Sequence, residues 1–180
     1  SGVGAVMGSK KLKGIVVTAS KKNADDVLAS AEALKAANKD VMVNIRENGL
    51  TGGGLRALGT ASLVNVINGV GSLPTKNWQE SYYDEAEDVS GEALAEKYLV
   101  KAGACHRCPI ACGRVVKVGD KVVGGPEYEP LWAYGANMDN NDLAAVNEAN
   151  MWCNEYGLDA ISVPCTIAAA CGNTNSLNAV

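Results

Sequence analysis

Three cysteines, Cys105, Cys108 and Cys112, lie close together in the sequence with the spacing C-x2-C-x3-C. Thiolates with this spacing can converge on the irons of one cubane, and cysteine thiolate is the usual ligand of iron–sulfur clusters. Pro109 and Gly113 suit a loop whose backbone wraps a cluster and donates N–H groups to its sulfur atoms. The spacing therefore predicts a 4Fe–4S cluster whose fourth ligand comes from elsewhere.

A zinc site and a chance grouping of cysteines are the alternatives to a cluster for this motif. A zinc site would favour a second paired Cys or His motif, and the sequence has none. Unrelated cysteines are seldom grouped this tightly without a metal. His106, the one histidine, lies between two better ligands, so we expect an exposed neighbour rather than a ligand. Both alternatives stay open beside the favoured iron–sulfur cluster.

The other three cysteines lie nearer the end of the sequence. Cys153 falls on the apolar side of a predicted helix, where it fits as a small core residue. Cys165 and Cys171 have similar surroundings, although either is available in principle as the fourth cluster ligand. Because the chain lacks secretory features, its cysteines indicate metal binding rather than disulfides.

The composition is typical of a globular protein with one large domain or two small ones. Of 180 residues 47% are apolar and none is Phe, so the core must rest on aliphatic side chains and Ala. A net charge of −4 disfavours a nucleic-acid partner, and no apolar run is long enough to span a membrane. Without a secretion signal we expect a cytoplasmic protein, and we expect Ser1 and Val180 to be cuts through a longer chain.

Hydrophobic periodicity predicts a mainly helical fold. The best helix runs from Asp142 to Tyr156, with Asn141 as its N-cap and Gly157 ending it. Other predicted helices are 4–12, a helix from an N-cap at Asn23 to about Asn38, 41–48, and 92–100 after an N-cap at Ser90, and residues 61–67 form a further apolar segment. The remaining predicted elements are a buried strand at Gly14–Thr18, a loop at Gly52–Gly54, an extended turn at 71–79 and a hairpin at 115–123.

Five segments are more specific than the cysteine motif alone. They are Val3–Lys13, Gly59–Trp78, Cys105–Arg114 (C-x-x-C-P-I-x-C-G-R), Gly125–Glu129 (G-P-E-Y-E) and Cys153–Ser162, which contains G-L-D-x-I-S. In this order they resemble motifs of the aldehyde:ferredoxin oxidoreductase family. The resemblance spans nearly the whole chain and rests on site residues rather than on fold alone.

The resemblance implies an enzyme that holds tungsten, or sometimes molybdenum, between two pyranopterin dithiolenes beside a 4Fe–4S cluster. Family members oxidise an aldehyde and water to a carboxylate and pass two electrons to ferredoxin. Residues 1–20 would end the pterin-cradling first domain, and 21–180 would begin the helical, cluster-bearing region. The expected fold class is a mainly helical fragment of a larger enzyme with a short N-terminal β/α remnant, and a pterin- and magnesium-binding loop would precede Val3.

By the same resemblance, the three clustered cysteines are cluster ligands and the fourth ligand lies beyond Val180. Glu129 matches a glutamate placed near the metal, where a carboxylate can orient water or move a proton. Without the motif, Glu129 would be an exposed loop residue. The catalytic histidine of the family also lies beyond the end of this chain, and His106 does not match it.

The resemblance assigns Asn154, Gly157, Leu158 and Asp159 to pterin contacts. The family usually has Asp at the position of Asn154, and an amide can still accept from a pterin amine but loses the charge-assisted strength of a carboxylate. Without the family, Asn154 is a polar residue late in a helix. Gly157 is then only a helix cap, and Asp159 is a turn former.

Two further assignments are less specific. Glu148 matches a glutamate that binds a metal between the subunits of a homodimer in some members, although solvent exposure explains it nearly as well. Arg114 follows the cluster motif and either tunes the potential of the cluster by its charge or is a surface residue.

Two rival functions stay open. A related enzyme would be the ring-reducing subunit of an aromatic thioester reductase. A small stand-alone iron–sulfur electron carrier would leave the G-P-E-Y-E and G-L-D-x-I-S segments unexplained.

Overall fold

The computed structural model of the protein describes residues 2–18 and 28–173, with the backbone alone of Asn173. The described residues form a mainly helical fold with one small antiparallel sheet, which confirms the predicted fold class. The helices are α1 (Val3–Ser9), α2 (Ala31–Glu47), α3 (Leu55–Leu58), α4 (Leu63–Gly69), α5 (Gly91–Lys97), α6 (Tyr128–Tyr134), α7 (Leu143–Tyr156) and α8 (Ser162–Asn173). A π-helical turn (Gly49–Gly54) and 3-10 turns (Gly59–Ser62, Ala86–Val89, Ala136–Met138) join them, and the strands are β1 (Leu99–Gly103), β2 (Gly113–Val118) and β3 (Lys121–Gly124).

The core surrounds α6, whose residues 130–134 are all buried. This helix packs against α4, α7 and α8. Because the sequence has no Phe, Tyr and Trp supply the aromatic volume, and the indole N–H of Trp132 donates to the carbonyl of Pro74 at 2.6 Å. The largest fully buried aliphatic side chains of the core are Val64, Leu73, Val89, Leu94, Val116, Leu131 and Val146.

The sheet places β2 between β1 and β3. β2 and β3 form the predicted hairpin, in which Val116 pairs with Val123. The strand β1 differs from expectation, because the sequence pattern extends the preceding helix to Val100. That helix ends at Lys97 instead, since residues 99–103 pair with β2, and such pairing outweighs local preference.

The predicted buried strand at Gly14–Thr18 is wrong. These residues adopt no regular structure, and Val16 is 91% exposed. A strand requires a partner for its backbone hydrogen bonds, and none of the described strands pairs with this segment. The β-branched residues therefore indicate strand propensity without showing where a partner would come from.

The region after residue 28 contains one long helix rather than two short ones. The predicted N-cap at Asn23 lies outside the described residues. Ser30 caps α2 by accepting from the N–H of Ala33 at 3.2 Å, and the helix continues through Asn38 to Glu47. An Asn in a helix interior costs only a fraction of a kcal/mol, roughly 0.5–0.7. The predicted loop at Gly52–Gly54 belongs to the π-helical turn, whose first N–H groups Asn48 caps.

The best predicted helix is confirmed, with its N-cap shifted by one residue. Asp142, rather than Asn141, caps α7 by accepting from the N–H groups of Ala144 and Ala145. Gly157 ends α7 with a left-handed φ of 67°. In the described parts of the chain, no helix is long and apolar enough to cross a membrane.

Candidate functional site

The three clustered cysteines lie on the loop between β1 and β2, here called the cysteine loop (residues 104–112). Its two ends are held together because Gly103 pairs with Gly113 across the strands. Inside the loop, the N–H of Cys108 donates to the carbonyl of Cys105 at 3.0 Å. One closed loop thus carries all three cysteines at one end of the sheet.

The thiols of this loop are available for ligation. Cys105 is exposed, Cys108 and Cys112 are half-buried, and none forms a disulfide. Within residues 2–18 and 28–173, no three His, Cys, Asp or Glu side chains are grouped closely enough to hold one metal ion. In a cubane each thiolate binds a different iron, so its ligands stand further apart than those of a single ion. Three free thiols on one loop fit this donor set, and cluster ligation stays a prediction.

Arg114 ties the cysteine loop to the end of α3. It is 4% exposed, so the surface alternative for this residue is wrong. Its guanidinium donates to the carbonyls of Ala57 (2.7 Å), Ala111 (2.6 Å) and Arg56 (3.2 Å), and its Nε donates to Gly113 (2.8 Å). One buried side chain therefore joins the loop to a helix end more than fifty residues earlier in the sequence.

Two neighbours complete this contact. The exposed side chain of Arg56 donates to the carbonyl of Pro109 on the cysteine loop at 3.0 Å. Gly59 has a left-handed φ of 70°, and a Cβ there would lie 2.5 Å from the carbonyl oxygen of Cys112. Only glycine allows the chain to pass this close to a predicted cluster ligand.

Glu129 lies in the first turn of α6 and is exposed. The segment before it is fixed by Thr60, whose hydroxyl donates to the carboxylate of Glu127. The same hydroxyl accepts from the N–H of Tyr128 at 3.1 Å. Burial first, and the charge of Glu129 second, raise the pKa of Tyr128. Thr60 belongs to the Gly59–Trp78 motif and Glu127 to the G-P-E-Y-E motif. The two motifs are far apart in the sequence, and the fold brings them into contact.

The predicted pterin residues lie at the turn between α7 and α8. The N–H of Leu158 donates to the carbonyl of Cys153 at 2.8 Å, so the chain turns tightly after Gly157. Asn154 and Leu158 are exposed. Asp159 caps α8, because its Oδ1 accepts from the N–H groups of Ser162 (2.7 Å) and Ile161 (3.0 Å). These bonds lower the pKa of Asp159 to about 2.

The first helix packs on this turn. The N–H of Ala5 donates to the carbonyl of Gly157 at 3.1 Å. A Cβ on Gly4 would lie 2.9 Å from the Cα of Gly157, so the two glycine backbones are in contact. The N-terminal motif and the G-L-D-x-I-S motif therefore meet, which sequence spacing alone could not have indicated.

Glu148 occupies the exposed side of α7. Its carboxylate accepts from the indole N–H of Trp152 at 3.2 Å, and Trp152 stacks on Tyr156 at 5.7 Å between ring centroids. The ammonium of Lys121 lies 5.2 Å from the Trp152 ring centroid. Metal binding by Glu148 stays a prediction.

The remaining cysteines and the histidine agree with their predicted surroundings. Cys153 is buried at 2% exposure in the core, as predicted. Cys165 and Cys171 are half-buried, and burial raises the pKa of the Cys165 thiol. His106 is exposed on the cysteine loop.

Known proteins provide an independent comparison. A family model described as "Aldehyde ferredoxin oxidoreductase, domains 2 & 3" matches residues 36–175. The tungsten-containing aldehyde ferredoxin oxidoreductases of Thermococcus kodakarensis and Pyrococcus furiosus are 47% and 48% identical over 94% of this chain and 28% of their own length. An "Aliphatic sulfonate oxidoreductase, WOR-like subunit" of Pyrococcus furiosus is 28% identical over 89% of this chain and 26% of its own length. The chain thus spans little more than a quarter of these relatives, and it belongs to the aldehyde ferredoxin oxidoreductase family.

Proposed function

We propose that this chain is the cluster-bearing part of a tungsten, or molybdenum, pterin oxidoreductase that converts aldehydes to carboxylates. Electrons would pass through a 4Fe–4S cluster to ferredoxin. The observation that carries the proposal is the cysteine loop, with three free thiols, in a chain 47% identical to tungsten-containing aldehyde ferredoxin oxidoreductases. The site would hold its cluster through Cys105, Cys108 and Cys112 and a fourth ligand beyond Val180.

The turn between α7 and α8 would contact the pterin. When bound, the tungsten pterin would take up the two electrons released by oxidation of the hydrated aldehyde. Asp159 is ionised at neutral pH, since backbone N–H groups hold its pKa low, and would accept hydrogen bonds from pterin amines. Asn154 would add a neutral contact at the end of α7. The packing of α1 on Gly157 supports the assignment of residues 1–20 to the pterin-cradling domain.

Glu129 would act on the water that hydrates the aldehyde. It is exposed, and its helix start is fixed by the bonds of Thr60 to Glu127 and Tyr128. An exposed carboxylate on a helix start fixed in this way can orient a water molecule and accept a proton from it. Glu148 would bind a metal between the subunits of a homodimer, once released from its bond to Trp152.

The proposal is tested on the complete protein that contains this chain, purified without oxygen. We expect iron together with tungsten or molybdenum, and aldehyde-dependent reduction of a viologen dye or ferredoxin. A substrate panel should include an aliphatic sulfonate, because one relative is described as a sulfonate oxidoreductase, and an aromatic thioester. Iron without tungsten or molybdenum would instead support a stand-alone electron carrier and would refute the proposal.

A further inference from the structure

We infer that Arg114 is the fixed counter-charge of the iron–sulfur cluster, and that its buried guanidinium raises the reduction potential of the cluster. This inference rests on the proposed function, because it requires a cluster on the cysteine loop. Arg114 acts here as a positioning residue, since it contacts the backbone of the loop rather than the reacting atoms.

The first step is the charge balance of the buried guanidinium. All four of its hydrogen bonds go to backbone carbonyls, those of Arg56, Ala57, Ala111 and Gly113. The ion pairs formed among residues 2–18 and 28–173 involve Lys76, so no carboxylate there forms an ion pair with Arg114. Carbonyl dipoles offset only part of the cost of burying a full charge. An anion bound nearby would supply the rest.

A cubane with four thiolate ligands is such an anion, because four thiolate charges exceed the positive charge of its iron–sulfide core. Reduction adds one more negative charge. A nearby cation therefore stabilises the reduced form more than the oxidised form, which raises the potential. The effect is largest where water is excluded, and a guanidinium keeps its charge at any accessible pH.

The second step is the position of the bonds. The Ala111 carbonyl that Arg114 binds belongs to the peptide whose N–H is that of Cys112, a predicted cluster ligand. A hydrogen bond at the carbonyl polarises that peptide and makes its N–H a better donor to a cluster sulfur. Gly59 lets the carbonyl of Cys112 pack against the same helix end, within reach of the Arg114 side chain. The guanidinium thus lies against the backbone of a ligand, with solvent excluded.

The third step separates charge from shape. The planar fork of Arg114 reaches three separate pieces of backbone, which a lysine ammonium cannot do. Arg114→Lys therefore keeps the charge and loses the fork, whereas Arg114→Gln loses the charge and keeps a donor. Lys117→Gln is the matched control, because it removes one positive charge from an exposed residue on the same strand.

The experiment uses the complete protein, prepared without oxygen, with iron content and an EPR-monitored redox titration as readouts. We expect Arg114→Gln to weaken electron uptake by the cluster about tenfold, which corresponds to a fall of about 59 mV for a one-electron couple. Arg114→Lys should keep a potential near that of wild type, and Lys117→Gln should have the wild-type potential. Simple loosening of the loop would admit water, which stabilises the more charged reduced form and would raise the potential, so the sign separates the two causes.

Each outcome decides the matter. Loss of iron from Arg114→Gln, with iron and potential kept in Arg114→Lys, would also support the inference. The lysine variant shares the charge with wild type but not the planar fork, so the charge would then be what holds the cluster. An unchanged or raised potential in Arg114→Gln would overturn it, as would equal loss of iron from both variants, which would mean a structural role. A wild-type protein without any iron–sulfur cluster would overturn the proposed function as well, whereas an unshifted cluster overturns only the role of Arg114.

Discussion

The hydroxyl of Tyr134 lies 3.0 Å from the sulfur of Cys153, and both side chains are buried. Burial first, and the bond to Cys153 second, raise the pKa of Tyr134, so the phenol stays protonated at neutral pH. This pair gives Cys153 a packing partner inside the core. The structure thereby separates a core cysteine from the three free thiols of the cysteine loop.

The first prediction follows from this separation. Cys153→Ala should lower the free energy of unfolding by about 1–3 kcal/mol, because it leaves the buried Tyr134 hydroxyl without a partner. Its iron content should equal that of wild type. Cys108→Ser should lose most of its iron and of its cluster absorbance, with only a small fall in melting temperature. Iron analysis of both variants of the complete protein checks this, and loss of iron from Cys153→Ala would contradict it.

The second prediction concerns the contact between Gly59 and the cysteine loop. Gly59→Ala should reduce cluster occupancy, because a Cβ would lie 2.5 Å from the carbonyl oxygen of Cys112 on a backbone with φ of 70°. Gly71→Ala controls for the positive φ alone, since Gly71 has φ of 66° and open space where its Cβ would lie, whereas Gly59 also has ψ of −163°. The control should cost only the left-handed strain, about 1–2 kcal/mol, and keep its iron. Equal iron content in the two variants would show that the close approach does not matter.

How much of this could be predicted from sequence depends on the range of the interactions. α7 and its terminal Gly157 were predictable, because periodicity and capping act within a few residues. The strand predicted at Gly14–Thr18 failed because strand formation depends on a distant partner. The burial of Arg114, and the bond between Thr60 and Glu127, were invisible for the same reason: each joins segments more than fifty residues apart.

The third prediction concerns the charge of Asp159. Its pKa of about 2 in the fold lies below its ordinary value of 3.8, so its contribution to stability is present above about pH 3.8 and is lost as the pH falls through 2. Asp159→Asn should keep the cap of α8, because Asn caps helices as well as Asp. It should also remove this acid-sensitive step from the stability profile, and it should lower tungsten-pterin content if the pterin requires the charge. Asp159→Ala should lose cap and charge together. Melting curves between pH 2 and pH 7, with metal analysis, compare the two variants with wild type. Identical pH profiles of stability for Asp159→Asn and wild type would disprove the link between the Asp159 charge and acid stability.

The fourth prediction tests the bond that fixes the approach to Glu129. Thr60→Val should lower kcat about tenfold or more, because it removes the partner of the Glu127 carboxylate and of the Tyr128 N–H, and a bond to a charged group contributes about 1.5–3 kcal/mol. Thr60→Ser keeps the hydroxyl and should stay near wild type. Steady-state aldehyde oxidation and metal content of both variants provide the measurement. A Thr60→Val enzyme with unchanged kcat and full metal content would show that Glu129 does not depend on this bond.

The last prediction concerns the contact between α1 and the turn between α7 and α8. Gly4→Ala should loosen this contact, because a Cβ on Gly4 would lie 2.9 Å from the Cα of Gly157. Gly8→Ala is its matched control on the same helix, since nothing lies within 4 Å of its Cβ position. Both substitutions gain the same helix propensity, roughly 0.5–1 kcal/mol, so any difference between them comes from the contact.

We therefore expect Gly8→Ala to be as stable as wild type or slightly more stable, with full tungsten content. We expect Gly4→Ala to lose tungsten while keeping iron, because the cysteine loop is held by Arg114 and does not depend on α1. Metal analysis of the complete protein measures both elements in one sample. If Gly4→Ala kept tungsten at the level of Gly8→Ala, the packing of α1 on Gly157 would have no part in holding the pterin. Joint loss of iron and tungsten would instead mean that the turn and the cysteine loop form one cooperative unit.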